Sequence, residues 1–439
     1  MHEFMDYVRN AFYDATGWNR ESSYSSLNST ANALLNFPTP VGVRLTLSSL
    51  ASPNFATSYQ LGSVGVVDGS ISYLYSSVPL DVHITPQSDR TPLATPFQSY
   101  RPLPALPRRG DDQLTPYPLH SPSAASLLYG RLYLPQSLLE ALVIRRVSPA
   151  LQLQLSAVSG QFLRDGGTLL GLAQYDVGRY SLEGLASSDG GLLGLRGLYN
   201  FGNEVDDADG AAPFPPPAVP SSGATANGGV GGVDETRERI YGRFSAGGEI
   251  YYGTLNKSGG VSLGARFATL PAHRGTPLTA TLTLNPLMGN VSATYALMAG
   301  RNCSLATKFD FNVFSYESDW AVGMELWRKR PQAPAAPISS VEKLVRQRSF
   351  QAKLEWRMDD PEEVKETITS QKDADTGAGT SDDDEYTGVL KARLDQNLRI
   401  GLIWEGRAKS LLFSLGSGID LRHSESPFRT LGVEVQFSS

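Results

Sequence analysis

Side chains able to do covalent or metal chemistry are few in this sequence and badly spaced for it. His2, His83, His120, His273 and His423 never approach metal-site spacing, Cys303 is the single cysteine, and no Gly-x-Ser-x-Gly, Walker or His-Glu-x-x-His pattern occurs. Gly191, Gly194 and Gly197 in "GLLGLRG" do not have the phosphate-binding spacing; glycine in a strand marks close backbone approach or curvature. The "SDDDE" run at residues 381 to 385 is either a cation site or a solvated loop, and the loop is the simpler reading. We therefore expect no catalytic residue, no metal and no cofactor. The chemistry on offer is recognition. Tyr73 and Tyr75 in "ISYLYSS", and Phe309 and Phe311 in "KFDFNVFS", each put two rings on one side of a strand. Such rings either belong to an aromatic girdle at a membrane interface or dock a partner.

The final residues, "RTLGVEVQFSS", carry the same period. Leu431, Val433, Val435 and Phe437 share one parity, and Gly432, Glu434 and Gln436 the other. Termini fray unless tied down, and a strand is tied down by pairing along its edges. An apolar face running the length of a last strand needs both a neighbouring strand and an apolar medium.

The elements that position these residues are strands. Hydrophobic residues make up 41% of the 439, charged residues only 19%, and 43 Gly with 28 Pro suit many short strands joined by turns. A helix is expected over residues 3 to 15, where Phe4, Tyr7, Val8, Ala11, Phe12 and Ala15 form one stripe and Gly17 follows as a stop. From about Val43 the period becomes two, in "VRLTLSSL", "LQLQLSAV", "LTATLTLN", "SLATKFDFN", "WAVGMELWR", "SFQAKLEWR", "LRIGLIWEG" and "LLFSLGSGIDL". With weaker segments included, the count is about nineteen. Asp165-Gly166-Gly167, Asp189-Gly190-Gly191 and Ser258-Gly259-Gly260 read as hairpin connections. Residues 81 to 126, 202 to 239, 329 to 348 and 358 to 386 read as long mobile loops, and the chain divides into an N-terminal helix with lead-in (1–42) and a strand domain (43–439).

Large apolar side chains stand opposite charges along these strands: Phe350, Ala352, Leu354 and Trp356 against Gln351, Lys353, Glu355 and Arg357, and Leu398, Ile400, Leu402 and Trp404 against Arg399 and Glu405. No window approaches the roughly 20 apolar residues of a spanning helix, but a barrel strand needs only about 10 residues of alternating character. The start, "MHEFMDYVRNAFYDATGW", has Glu3, Asp6 and Asp14 where a secretory signal would be apolar or basic, and a single Arg9 before Arg20, which is poor for a mitochondrial presequence. No blade-length repeat is present, so a propeller is disfavoured. The fold class is all-β: a closed transmembrane barrel of about nineteen strands, lipid outside and water inside, with no unpaired edge and with the N-terminal amphipathic helix expected in its lumen. Residues 359–385 carry 11 acids and 2 bases and residues 204–239 carry 7 and 2, so with a net charge of -6 the rest of the chain stands at +8. Inward candidates Lys353, Arg357, Lys391, Arg393, Arg399 and Arg407 mix with Glu355, Glu405, Asp420 and Glu434, which suits either a selective pore or a salt-bridged interior crossed by the N-terminal helix.

The blocks "MDYVRNAFYDATGWNR", "FPTPVGVRLTLSSLASPNFATSYQLGSVGVVDGSISYLYSS" and "LTLNPLMGNVSATYALMAG", with the closing strand, resemble the fungal mitochondrial distribution and morphology protein 10 family. The resemblance implies a nineteen-stranded barrel of the anion-channel type in the mitochondrial outer membrane, with its first and last strands pairing in parallel. It implies partners in two assemblies, the ER-mitochondria encounter structure and the sorting and assembly machinery, together with outer-membrane phospholipid, and no nucleic acid. Thr430, Gly432, Val435 and Phe437 fit the polar-x-Gly-x-x-hydrophobic-x-hydrophobic signal by which such barrels are sorted, read before the sheet closes. The remaining alternative is a metabolite channel of the same architecture.

Overall fold

In the computed structural model, residues 1–439 are described except 65, 105–124, 162, 164–165, 202–241, 271–272, 274, 301, 330–385 and 423–427. Nineteen strands form one closed sheet, from β1 (Gly42–Ser52) to β19 (Phe428–Ser438). Every neighbouring pair is antiparallel except the closing one, where β1 and β19 run parallel from Gly42↔Gly432 to Ser48↔Ser438. An odd number of strands forces that exception once all other pairs alternate. Odd-numbered strands therefore run from a first rim, where β1 begins, to a second rim, and even-numbered strands return. No described helix is long and apolar enough to cross a membrane; the strands do the crossing.

Alternation assigns the two faces of the wall. On β19, Leu431, Val433, Val435 and Phe437 point outward while Gly432 and Gln436 are buried toward the lumen. On β17 (Arg399–Ala408), Ile400, Leu402 and Trp404 face out and Ile403 and Glu405 are buried. Leu398, expected on the outer stripe, instead makes the preceding turn with φ 56°. Asp189-Gly190-Gly191 does lie between strands, but Gly167 opens β7 (Gly167–Asp176), with Asp165 outside the described residues, and Ser258-Gly259-Gly260 opens β11 (Ser258–Thr269). There the turn falls one step earlier, at 254–257, because Lys257 takes the left-handed conformation itself (φ 48°). The expected strand "SFQAKLEWR", the "SDDDE" run, the loop 202–239, and all but the first residue of 329–348 and the last of 358–386 lie outside the described residues; Lys329 itself ends a strand.

The lumen is filled by the chain's own segments. Helix α1 (Phe4–Thr16) ends at Gly17 in the left-handed region and buries Phe4, Tyr7, Val8, Ala11 and Phe12, the stripe read from the sequence. These side chains pack on Ala56, Leu74, Leu127, Leu142 and Ile144 of the early strands. Each Val, Leu, Ile or Phe among them removed from water is worth about 1.5–3 kcal/mol. Two 3-10 turns (Arg20–Ser22, Tyr24–Ser26) and a short helix α2 (Ser29–Leu35) then cross to the far wall, where Ala31, Leu34 and Leu35 meet Ala296 and Ala306.

Residues 81 to 104 depart from the expectation of a mobile loop. This strap is buried at Ile84, Leu93, Phe97, Tyr100 and Leu103, with Leu93 and Phe97 packed on Val389 and Leu412. The proline-rich composition was read as loop, yet its apolar residues occur where the strap touches the inner wall, and burial orders them.

Candidate functional site: the closing seam and two outward aromatic surfaces

The strap and the N-terminal segment are irregular, so many of their carbonyls lack a backbone partner, and inward arginines of the wall supply one. Arg407 donates to the carbonyls of Ser88 (3.3 Å), Asp89 (2.6 Å) and Thr91 (3.0 Å). Arg393 donates to Leu35 and Phe37, each at 3.3 Å, and Arg266 to Glu21 and Ser26, each at 3.2 Å. Arg131 anchors α1 through Glu3 at 2.6 Å. Lys391 and Glu405, both almost fully buried, pair at 2.9 Å, and Glu405 also holds the Met1 amino group at 2.5 Å. Burial first, then the amino terminus, Arg101 and Lys391, lower His2 to about 4, so it stays neutral beside these cations. Of the two readings of the inward charges, the geometry matches the salt-bridged interior.

The closing strand meets this interior at Gly432. A Cβ there would lie 2.4 Å from the Pro40 carbonyl and 2.6 Å from the Val41 nitrogen, and one at Gly416, its cross-strand partner on β18 (Leu411–Asp420), 2.4 Å from the Pro40 ring. All three distances are shorter than Cβ atoms tolerate, so the lead-in can cross the seam into β1 only over two glycines. Thr430 pairs with Gly418 on the luminal side, while Val435 and Phe437 face outward beside Leu45 and Leu47 of β1. At the other end of the seam, the Ser88 amide donates to the Ser438 carbonyl at 3.1 Å. The four residues of the expected signal thus split between faces, two for the lumen and two for lipid.

Tyr73 and Tyr75 lie on β3 (Val66–Ser76), outward and near the second rim. Register brings Phe55 opposite Tyr75, and the Phe55 and Tyr73 rings stack at 6.0 Å with Tyr59 edge-on to Tyr73 at 6.5 Å. Phe55 and Tyr59, on β2 (Phe55–Val64), were missed in the sequence because the partner register is invisible there. Phe309 and Phe311 lie on β14 (Cys303–Asn312), also outward, at the end nearer the first rim. Phe309 faces Trp320 of β15 (Ser318–Lys329), and a hollow of about 310 Å³ opens over Ala293 between Tyr295, Phe309 and Trp320. From β3 through the seam to β14 is eight strand steps, and eleven the other way. The two surfaces therefore stand on nearly opposite sides and at opposite rims.

A model of the family described as mitochondrial distribution and morphology protein 10 matches residues 1–439 of this chain. The chain belongs to that family. Its relatives of the same description include one from Chaetomium globosum, 60% identical over 95% of this chain and 99% of the relative. Those from Podospora anserina and Neurospora crassa are each 56% identical over the full length of both chains. The family is mitochondrial, and the barrel is the form in which this member is built. Among the described residues no group of three or more His, Cys, Asp or Glu is placed to hold a metal ion.

Proposed function

We propose that the protein is an outer-membrane anchor serving two assemblies. One is the ER-mitochondria encounter structure, where it would hold lipid-transfer subunits at contact sites for phospholipid exchange, mitochondrial shape and inheritance. The other is the sorting and assembly machinery, where it would assist late steps in building the general import pore. The observation that supports this most directly is the separation of the two aromatic surfaces. Partners on Tyr73/Tyr75 and on Phe309/Phe311 would not compete for wall or rim.

The metabolite-channel reading is less well supported, because α1, α2 and the strap occupy the lumen and are bonded to the wall on several sides. Replacing Tyr73 and Tyr75 together by Ala is expected to detach one assembly in native-gel pull-downs while carbonate-resistant barrel remains. Replacing Phe309 and Phe311 should detach the other. Unchanged recovery of both assemblies in both variants would reduce the rings to membrane anchors, and large ohmic conductance of the purified barrel in a planar bilayer would revive the channel.

A further inference from the structure

Beyond the wall, two neighbouring hairpin tips at the first rim carry large apolar side chains into the open. The turn at 286–289, between β12 (Leu278–Asn285) and β13 (Asn290–Met298), exposes Leu287 and Met288. The turn at 313–317, between β14 and β15, exposes Phe314 (67%) and Tyr316 (81%), among the most exposed apolar side chains described. These tips are built as one unit. The Asn312 side chain donates to the Met288 carbonyl at 3.2 Å and to Asn290 at 2.6 Å, and accepts from the amides of Phe314 (2.8 Å) and Ser315 (2.9 Å). The Val313 amide donates to Gly289 at 2.8 Å, and the Phe314 ring sits so close over Gly289 that a Cβ there would meet it at 2.7 Å.

Tyr316 has φ 57°, a conformation that costs a bulky residue energy and is retained only where the surroundings enforce it. Asn312 enforces it, its carbonyl accepting from the Tyr316 amide at 2.9 Å. Spending strain and an asparagine staple to hold an aromatic ring in the open is not what a loose surface turn does.

What covers the tips follows from their setting. Asn285, Asn290 and Asn312 pair in register on the luminal parity, so the tips have a polar inner edge, while their outer side follows directly on Phe311. Glu317 and Asp319 flank the tips, and no described cation pairs with either. Carboxylates repel the anionic surface of a membrane, and an apolar patch of this kind in water marks a protein contact. We propose that the two tips form a docking platform for a partner segment whose apolar side chains are flanked by lysine or arginine. This rests on the reading of Phe309 and Phe311 as a docking pair and extends that surface past the membrane.

The test places the photo-crosslinking residue benzoyl-phenylalanine at position 316 of the full-length protein in isolated mitochondria, with adduct peptides mapped by mass spectrometry. The expected adduct is to a protein segment with apolar and basic residues together. Its yield should fall at least fivefold when Glu317→Lys and Asp319→Lys are added, with membrane integration unchanged. Adducts to phospholipid, adducts indifferent to the charge reversal, or no adduct would overturn the platform. Phe309→Ala with Phe311→Ala, assayed in parallel, separates the two readings. Loss of a partner there without the crosslink overturns the platform alone, whereas a charge-sensitive crosslink with every partner retained in that variant overturns the wall pair and leaves the platform.

Discussion

The wall of the barrel presents two surfaces made from the same strands. On β17, Leu402 and Trp404 look into lipid and need no particular neighbour, only an absence of polarity. One position away, Glu405 and Arg407 look into a lumen where their partners are specific atoms, the Met1 amino group and Lys391 for the one and carbonyls of the strap for the other. The outer face is a composition, whereas the inner face is a fit. The same contrast holds at the seam, where outward Phe437 needs only to be apolar but inward Gly432 must be the smallest residue there is.

Four tests would break or sharpen this contrast. The largest effect is expected from Glu405→Ala, which strands the nearly fully buried Lys391 without its carboxylate and should cost about 3–5 kcal/mol. Thermal unfolding in detergent measures it, and a loss below about 1 kcal/mol would mean that water reaches the pair. Next, Leu402→Arg or Phe437→Lys should cost about 2–4 kcal/mol if the residue lies near the midplane, less toward the interfaces. In organelle import, the Phe437→Lys chain should appear protease-protected but carbonate-extractable; normal integration would remove the lipid-facing assignment of β19.

Gly432→Ala should cost about 1–3 kcal/mol through the clash with Pro40. Gly416→Ala tells two roles apart. If glycine serves the fit, both variants loosen the lead-in to protease alike; if it serves only recognition by the assembly machinery, Gly432→Ala arrests import and Gly416→Ala is silent. The smallest effect concerns pH. His2, lowered to about 4 in the folded chain, favours folding above its unfolded value near 6.5, and this contribution fades as pH falls toward 4. Between pH 7 and 6 the loss should be under about 1 kcal/mol, and His2→Gln should flatten the slope.

Some of this was legible without coordinates. Period-two alternation reports the contrast between lipid and not-lipid, and that contrast repeats in every strand, so the barrel, its strand count and the outward parity of Tyr73, Tyr75, Phe309, Phe311, Val435 and Phe437 could be read locally. The stripe of α1 was legible for the same reason at a period near 3.6. Phe55 and Tyr59 were not, since stacking across β2 and β3 depends on register. Residues 81 to 104 were misread as loop because a strap that borrows its hydrogen bonds from Arg407 and Lys391, some 300 positions later, has no period of its own.

By itself, then, the sequence determined which faces of the wall meet lipid and that the chain ends on a strand needing a neighbour, because the medium acts on each residue separately. Only the tertiary structure decided the register of the parallel pairing with β1, that Pro40 crosses the seam over Gly416 and Gly432, and that the strap joins α1 in the lumen. Those outcomes depend on atoms brought within a few ångströms from opposite ends of the chain, and no local pattern records such a meeting.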